Sequence, residues 1–420
     1  MERTYCEIKN TYIPLGREQG GILYEPVSPE QRRGTGILLM HSDDTYYGFV
    51  PAPELAKRGF TVLASRVEKS CETLDRKLLD AARAMTYLKN LDSVEKVVLL
   101  GHSGGATLMS AYQNVAENGV KTFQDEEKII KLSDIGELPA ADAIMLLDSN
   151  WGNGVMTLLS LEPGISDNLS SRNLRPGFDL FDPANGFSEN GAHYSEEFIR
   201  KYQKAQEKRN EALIDAALDR LRAIDEKNGN FEDDEPFVVA GGSQMAPNNK
   251  LFPQDIRLLS HTIHEWPQIY ADGTIKTEVI YSLRKPHFTK NMVTVNEMAT
   301  NVSTVRTYLT NSAVRTNGFY YDESRIYGIE WKSSYCCTPG NVMGVTVPAL
   351  IMGMTGSYEF LASEQIYENI ASKDKTIAFV RGASHNFTPQ EDAQKYPGEF
   401  GDTVKNCFDF AADWLEKTGF

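Results

Sequence analysis

The residues best suited to chemistry in this 420-residue chain are Gly101-His102-Ser103-Gly104-Gly105, which match the pattern G-x-S-x-G. A serine in that pattern acts as a nucleophile when it stands on a sharp turn from strand into helix, with its hydroxyl raised above a sheet. Flanking glycines let the neighbouring strand and helix approach closely. The helix N-terminus then lends positive potential to a developing oxyanion. The hydroxyl is a poor nucleophile until a neighbouring base takes its proton, and histidine suits that task near neutral pH. An ordinary strand-to-helix turn is the competing reading of the pentapeptide. Both flanks favour the nucleophile: Lys96-Val97-Val98-Leu99-Leu100 reads as a strand before it, and the chain from Ala106 onward reads as a helix.

The elements that must position such a serine alternate strand and helix from Gly36 to Asp148. Gly36 to His41, Phe60 to Ala64, Lys96 to Leu100 and Ala143 to Leu147 are short apolar runs. Without polar alternation they fit strands covered on both faces of a mostly parallel sheet. Leu74, Leu78, Ala81, Ala82, Met85 and Leu88 recur at helical spacing. From about 150 to 344 the character changes to turns, a long charged helix from about Ser195 to Asp225 with Ser195 as N-cap, and a segment rich in aromatics and histidine. The strand pattern then returns at Val347 to Met352 and Thr376 to Val380, and Thr403 to Lys417 reads as a terminal amphipathic helix.

With its elbow in that context, the chain resembles the α/β-hydrolase family over roughly Gly21 to Asp148 and Val345 to Phe420. The resemblance implies an α/β fold: a mostly parallel central sheet flanked by helices, with a large, mainly helical cap insertion. Residues 1–149 and 345–420 would form the core and 150–344 the cap. It also implies a histidine in the loop after the last strand, and Gly382-Ala383-Ser384-His385 fills that place. The family's acid usually follows the preceding strand. No aspartate stands there; Ser357 falls where one is expected, and Glu359 is the nearest carboxylate and the first choice. Asp148, after the earlier strand, is the alternative, and Glu364 reads as solvated helix surface. The oxyanion donors implied are the N–H groups of Gly104 and of Ser42 or Asp43, in a His41-Ser42-Asp43-Asp44 segment similar to the family's His-Gly segment with Ser42 in the glycine's place. Asp43 and Asp44 cannot both aim at an oxyanion, so at least one should face solvent or an internal partner. His41, Tyr46, Tyr47 and His102 are candidate substrate contacts.

Composition narrows the rest. A net charge of −15 repels nucleic acid and anionic membranes. No stretch is as apolar as a spanning helix, and Met1 to Cys6 does not read as a secretory leader. Five scattered cysteines, among them the vicinal Cys336-Cys337, suit a reducing cytoplasm better than a disulfide framework. His261, His264 and His287 lack the spacing of a zinc helix, so no metal or other cofactor is expected. The reading is a serine hydrolase of an ester, thioester or lactone in a bulky small molecule, with a homo-oligomer left open. Amide or carbon–carbon cleavage on the same residues, or a binding module with a degenerate triad, are the alternatives.

Overall fold

The computed structural model describes residues 3–166, 174–243, 251–286 and 300–420. The first half supplies strands β1 (Ile8–Pro14), β2 (Gly20–Pro26), β3 (Thr35–Leu39), β4 (Thr61–Ser65), β5 (Lys96–Ser103) and β6 (Ala143–Ser149). Helices α1 (Pro51–Lys57), α2 (Leu74–Lys89) and α3 (Gly104–Asn118) connect them. The middle of the chain adds β7 (Pro236–Val239), β8 (His261–Ile269), β9 (Ile275–Tyr281), β10 (Asn301–Thr304), β11 (Thr316–Tyr321) and β12 (Ile326–Ile329). The last part adds β13 (Ala349–Met354) and β14 (Lys375–Val380).

Ten strands form one sheet in the order β1-β2-β4-β3-β5-β6-β13-β14-β8-β9. From β4 to β14 the pairs are parallel. Their buried faces explain why these strands read as unbroken apolar runs. In β3, Ile37 and Leu39 pack on one side with Leu55 of α1 and Leu415 of the terminal helix Thr403–Thr418. Leu38 packs on the other with Leu78 of α2 and Leu108 of α3. Each such leucine, at 0% exposure, contributes about 1.5–3 kcal/mol of burial.

The stretch expected as a cap builds part of the core sheet. β8 adds parallel to β14 through Phe379↔Gln268 and Val380↔Ile269, and β9 closes that edge as an antiparallel hairpin. The histidine-rich segment from His261 is therefore the strand next to the edge of the core sheet. Its mixture of polar and apolar residues, exposed over much of its length, masked it beside the apolar runs of the central strands. The remainder holds a helix, α4 (Asn153–Ser160), the 30-residue α5 (Glu196–Asp225), and two small antiparallel pairs, β7 with β10 and β11 with β12. Ser195 caps α5 as expected, its hydroxyl accepting the Phe198 N–H at 3.2 Å. Among the described residues no helix is long and apolar enough to cross a membrane.

Candidate active site

Ser103 ends β5 and caps α3 with φ 54° and ψ −130°. An L-residue rarely holds a positive φ, and the conformation costs about 1–3 kcal/mol unless the surroundings impose it. Here they do. A side chain at Gly101 would stand 2.5 Å from the Ala106 Cα, and one at Gly105 would stand 2.4 Å from the Met40 carbonyl oxygen. Strand, turn and helix can close this tightly only with glycine at both places. The result aims the Ser103 side chain off the carboxyl end of the sheet, beside the first amide of a four-turn helix.

His385 lies in the turn after β14. The turn is anchored by the Gly382 N–H donating to the Thr355 hydroxyl at 2.8 Å and by Phe387, at φ 70°, donating its N–H to the Ser384 carbonyl at 2.9 Å. His385 Nδ1 meets Asp148 Oδ2 at 2.6 Å. Asp148 is fully buried at the end of β6 with φ 44°, and its other oxygen accepts the Met354 N–H at 2.9 Å. Glu359 Oε2 is 3.7 Å from the same His385 nitrogen, beyond hydrogen-bond length. The hydrogen bond thus goes to Asp148, the alternative, and not to Glu359, the first choice from sequence. The reason is reach: Asp148 sits on the strand between the elbow and β13, whereas Glu359 lies on the turn leading into the helix Ala362–Asn369. Ser357, in the position expected for an aspartate, accepts the Glu359 N–H at 3.2 Å and shapes that turn.

Burial opposes a charge on His385, but Glu359 and Asp148 outweigh it and push its pKa up to about 9. His102 is different. It is 1% exposed, and burial drives its pKa well down. Its Nε2 lies 2.7 Å from the His385 carbonyl oxygen, which can only accept, so Nε2 carries the proton. Its Nδ1 therefore accepts from the Tyr46 hydroxyl at 2.8 Å. His102 and Tyr46 were expected at the substrate; instead they form a buried clamp from the elbow to the His385 backbone. The Tyr47 carbonyl accepts from the Tyr24 hydroxyl at 2.8 Å on the β2 side. The hydrogen-bond requirements of His102 are legible only once its neighbours are known.

His41 Nδ1 accepts the N–H groups of Asp43 at 3.0 Å and Asp44 at 2.9 Å. Its proton is therefore on Nε2, on the side facing Gly104. Burial lowers its pKa, so the ring is neutral. Of the two N–H groups expected to face an oxyanion, that of Asp43 is thus engaged by His41 instead. Asp43 turns to an internal partner, as anticipated for one of the adjacent aspartates. Its carboxylate meets Lys77 Nζ at 2.9 Å and accepts from the Ser42 hydroxyl at 2.7 Å. Burial opposes its ionisation, but Lys77 and Ser42 hold the carboxyl below its usual range. Lys77, 2% exposed on α2, carried no sign of this role in the sequence.

Other candidates resolve without chemistry. Glu364 is buried, and its carboxylate accepts the N–H groups of Ile263 at 3.0 Å, His264 at 2.9 Å and the Trp266 indole at 2.7 Å. It is a tie to β8 rather than solvated surface. With Glu368 paired to Arg325, the His264, Glu364 and Glu368 cluster has its carboxylates already committed. His287 lies outside the described residues. All five cysteines are free. Cys336 and Cys337 are buried, with their thiols donating to the Ala313 and Trp331 carbonyls, and burial pushes the Cys336 pKa up to about 11 and that of Cys337 further. Thiols so far from ionisation are structural.

No family model matches the chain, and none of the curated proteins matches it. Solved structures do. The siderophore hydrolase EstB from Aspergillus fumigatus aligns over 98% of this chain and 98% of its own at 11% identity with a TM-score of 0.46. Est1E from Butyrivibrio proteoclasticus aligns over 97% and 98% at 11% identity with a TM-score of 0.40. A dienelactone hydrolase from Anabaena variabilis aligns over 98% and 97% at 8% identity with a TM-score of 0.39. The chain's own strand order, with a positive-φ serine between β5 and α3 and helices on both faces, makes its fold that of the α/β-hydrolases.

Proposed function

We propose that this chain is a serine hydrolase in which Ser103 is the nucleophile, His385 the general base and Asp148 the orienting acid. The observation that carries the reading is the 2.6 Å contact of His385 Nδ1 with buried Asp148, in a loop clamped to the residue before a positive-φ serine. With Nδ1–H given to Asp148, His385 Nε2 is the nitrogen left to take the serine proton. Ser103 Oγ then adds to a carbonyl, and the oxygen that becomes negative is held by the Gly104 and Ser42 N–H groups. Collapse expels the leaving group, which takes the proton from His385. Water activated by the same histidine next releases the acyl group from Ser103. An ester, thioester or lactone of a small molecule is the substrate class, because its alkoxide or thiolate leaves more readily than the amine of an amide.

Labelling with a fluorophosphonate, and turnover of a panel of short and bulky aryl esters, test this directly. Wild type should label and turn over while Ser103→Ala does neither. Equal rates for the two proteins would sink the proposal.

A further inference from the structure

The single Nδ1 proton of His385 faces two buried carboxylates. Asp148 Oδ2 holds it at 2.6 Å, and Glu359 Oε2 lies 3.7 Å from the same nitrogen, within ion-pair range. They stand on different elements and are fixed independently: Asp148 by the Met354 N–H, Glu359 by a turn closed on the Ser357 hydroxyl and by the Ala362 N–H, which donates to the Glu359 carbonyl at 2.8 Å. Glu359 is 3% exposed. Keeping a second acid at such a depth is costly unless a cation answers it. A protonated His385 is a cation within reach of it.

We propose that Glu359 is a positioning residue, a reserve carboxylate that shares the His385 imidazolium with Asp148 and takes over Nδ1 when Asp148 is removed. The inference rests on the hydrolase reading above. About 1 Å of side-chain movement brings Glu359 to hydrogen-bond length. Facing His385 are Asp148 from the end of β6, Glu359 from the turn after β13, His102 from the elbow and His41 from the loop after β3. Burial keeps both histidines neutral, so the negative charge at the ring comes from the two acids. One carboxylate orients the ring, and the second deepens the well for the imidazolium that forms as Ser103 loses its proton. The consequence is a base that works best in alkali.

The test compares the full-length wild type with Glu359→Gln, Asp148→Ala, the double variant and Ser103→Ala. It reads kcat/KM for an aryl ester against pH and follows the His385 ring by NMR titration. An Asp→Asn change in a triad with one acid costs about 10⁴ in kcat. With a reserve acid present, Asp148→Ala should keep about 100-fold more activity than the double variant. Glu359→Gln should move the rising limb of the kcat/KM profile and the His385 titration down by about one pH unit or more. Equal rates for Asp148→Ala and the double variant overturn the proposal, as does an unmoved His385 titration in Glu359→Gln. If Asp148→Ala does not fold, the Glu359→Gln titration decides alone. Turnover by Ser103→Ala at the wild-type rate would instead overturn the hydrolase reading, and the NMR titration would still decide whether Glu359 governs His385.

Discussion

Raising the pH from 7 to 9 should increase kcat/KM of the wild type by about 50-fold. The base must be neutral to accept the Ser103 proton, and the two carboxylates push the His385 pKa up to about 9. At that value about 1% of the enzyme carries a neutral imidazole at pH 7 and about half at pH 9, with nearly a tenfold gain per unit below pH 8. The assay is initial-rate hydrolysis of an aryl ester from pH 6 to 10, with Ser103→Ala at each pH as the blank for spontaneous hydrolysis. A profile already level at pH 7 would refute the reasoning, because it would mean that the two acids do not load the histidine. The same shift has a stability consequence of fixed sign. A histidine whose folded pKa exceeds its unfolded value of about 6.5 contributes fully below that pH and loses the contribution as pH rises through about 9. Melting temperatures across this window should therefore fall more for wild type than for His385→Gln.

Three further outcomes follow from other contacts. Ser103→Gly should abolish turnover yet raise unfolding free energy by about 1 kcal/mol, since relief of the strained φ exceeds the added chain entropy of glycine; a loss of stability in urea melts would contradict the strain. Glu162, buried in the middle segment, has its pKa pushed up to about 7, chiefly by burial. Its folded form holds a proton that the unfolded form releases, so wild-type stability should fall as pH rises from about 4.5 to 7, and Glu162→Gln should be more stable at pH 8 by about 1–3 kcal/mol; a gain that is the same at pH 4.5 and pH 8 would count against this. Asp43→Ala should cost about 3 kcal/mol because it strands the buried Lys77 charge, whereas Lys77→Met should cost about 1 kcal/mol because the Asp43 carboxylate, 37% exposed, can turn to water; equal losses in denaturant titrations would refute that asymmetry.

Local chemistry made much of this protein legible in its sequence. The runs at Ile37, Val98 and Ile144 have no polar alternation because their strands are covered on both faces, and that alone indicates a parallel sheet. The elbow was readable because all its requirements lie within a few residues: a strand, glycines where backbones touch, a serine, a helix. The N-cap at Ser195 is local in the same sense. What neighbours in sequence cannot report is which distant groups meet. Asp148 and His385 are 237 positions apart, and they are brought together by the order of β6, β13 and β14 and by a positive φ at Asp148 that no local signal announces. The same holds for the clamp from His102 to the His385 carbonyl, for Lys77 beneath Asp43, and for β8 and β9 at one end of the sheet, whose pattern is only partly apolar because both are partly exposed to water. The sequence by itself determined the six parallel strands at the heart of the sheet and the strand-turn-helix at Ser103; tertiary structure decided which acid holds the histidine, because a hydrogen bond of 2.6 Å against a separation of 3.7 Å depends on strand packing rather than on residue type.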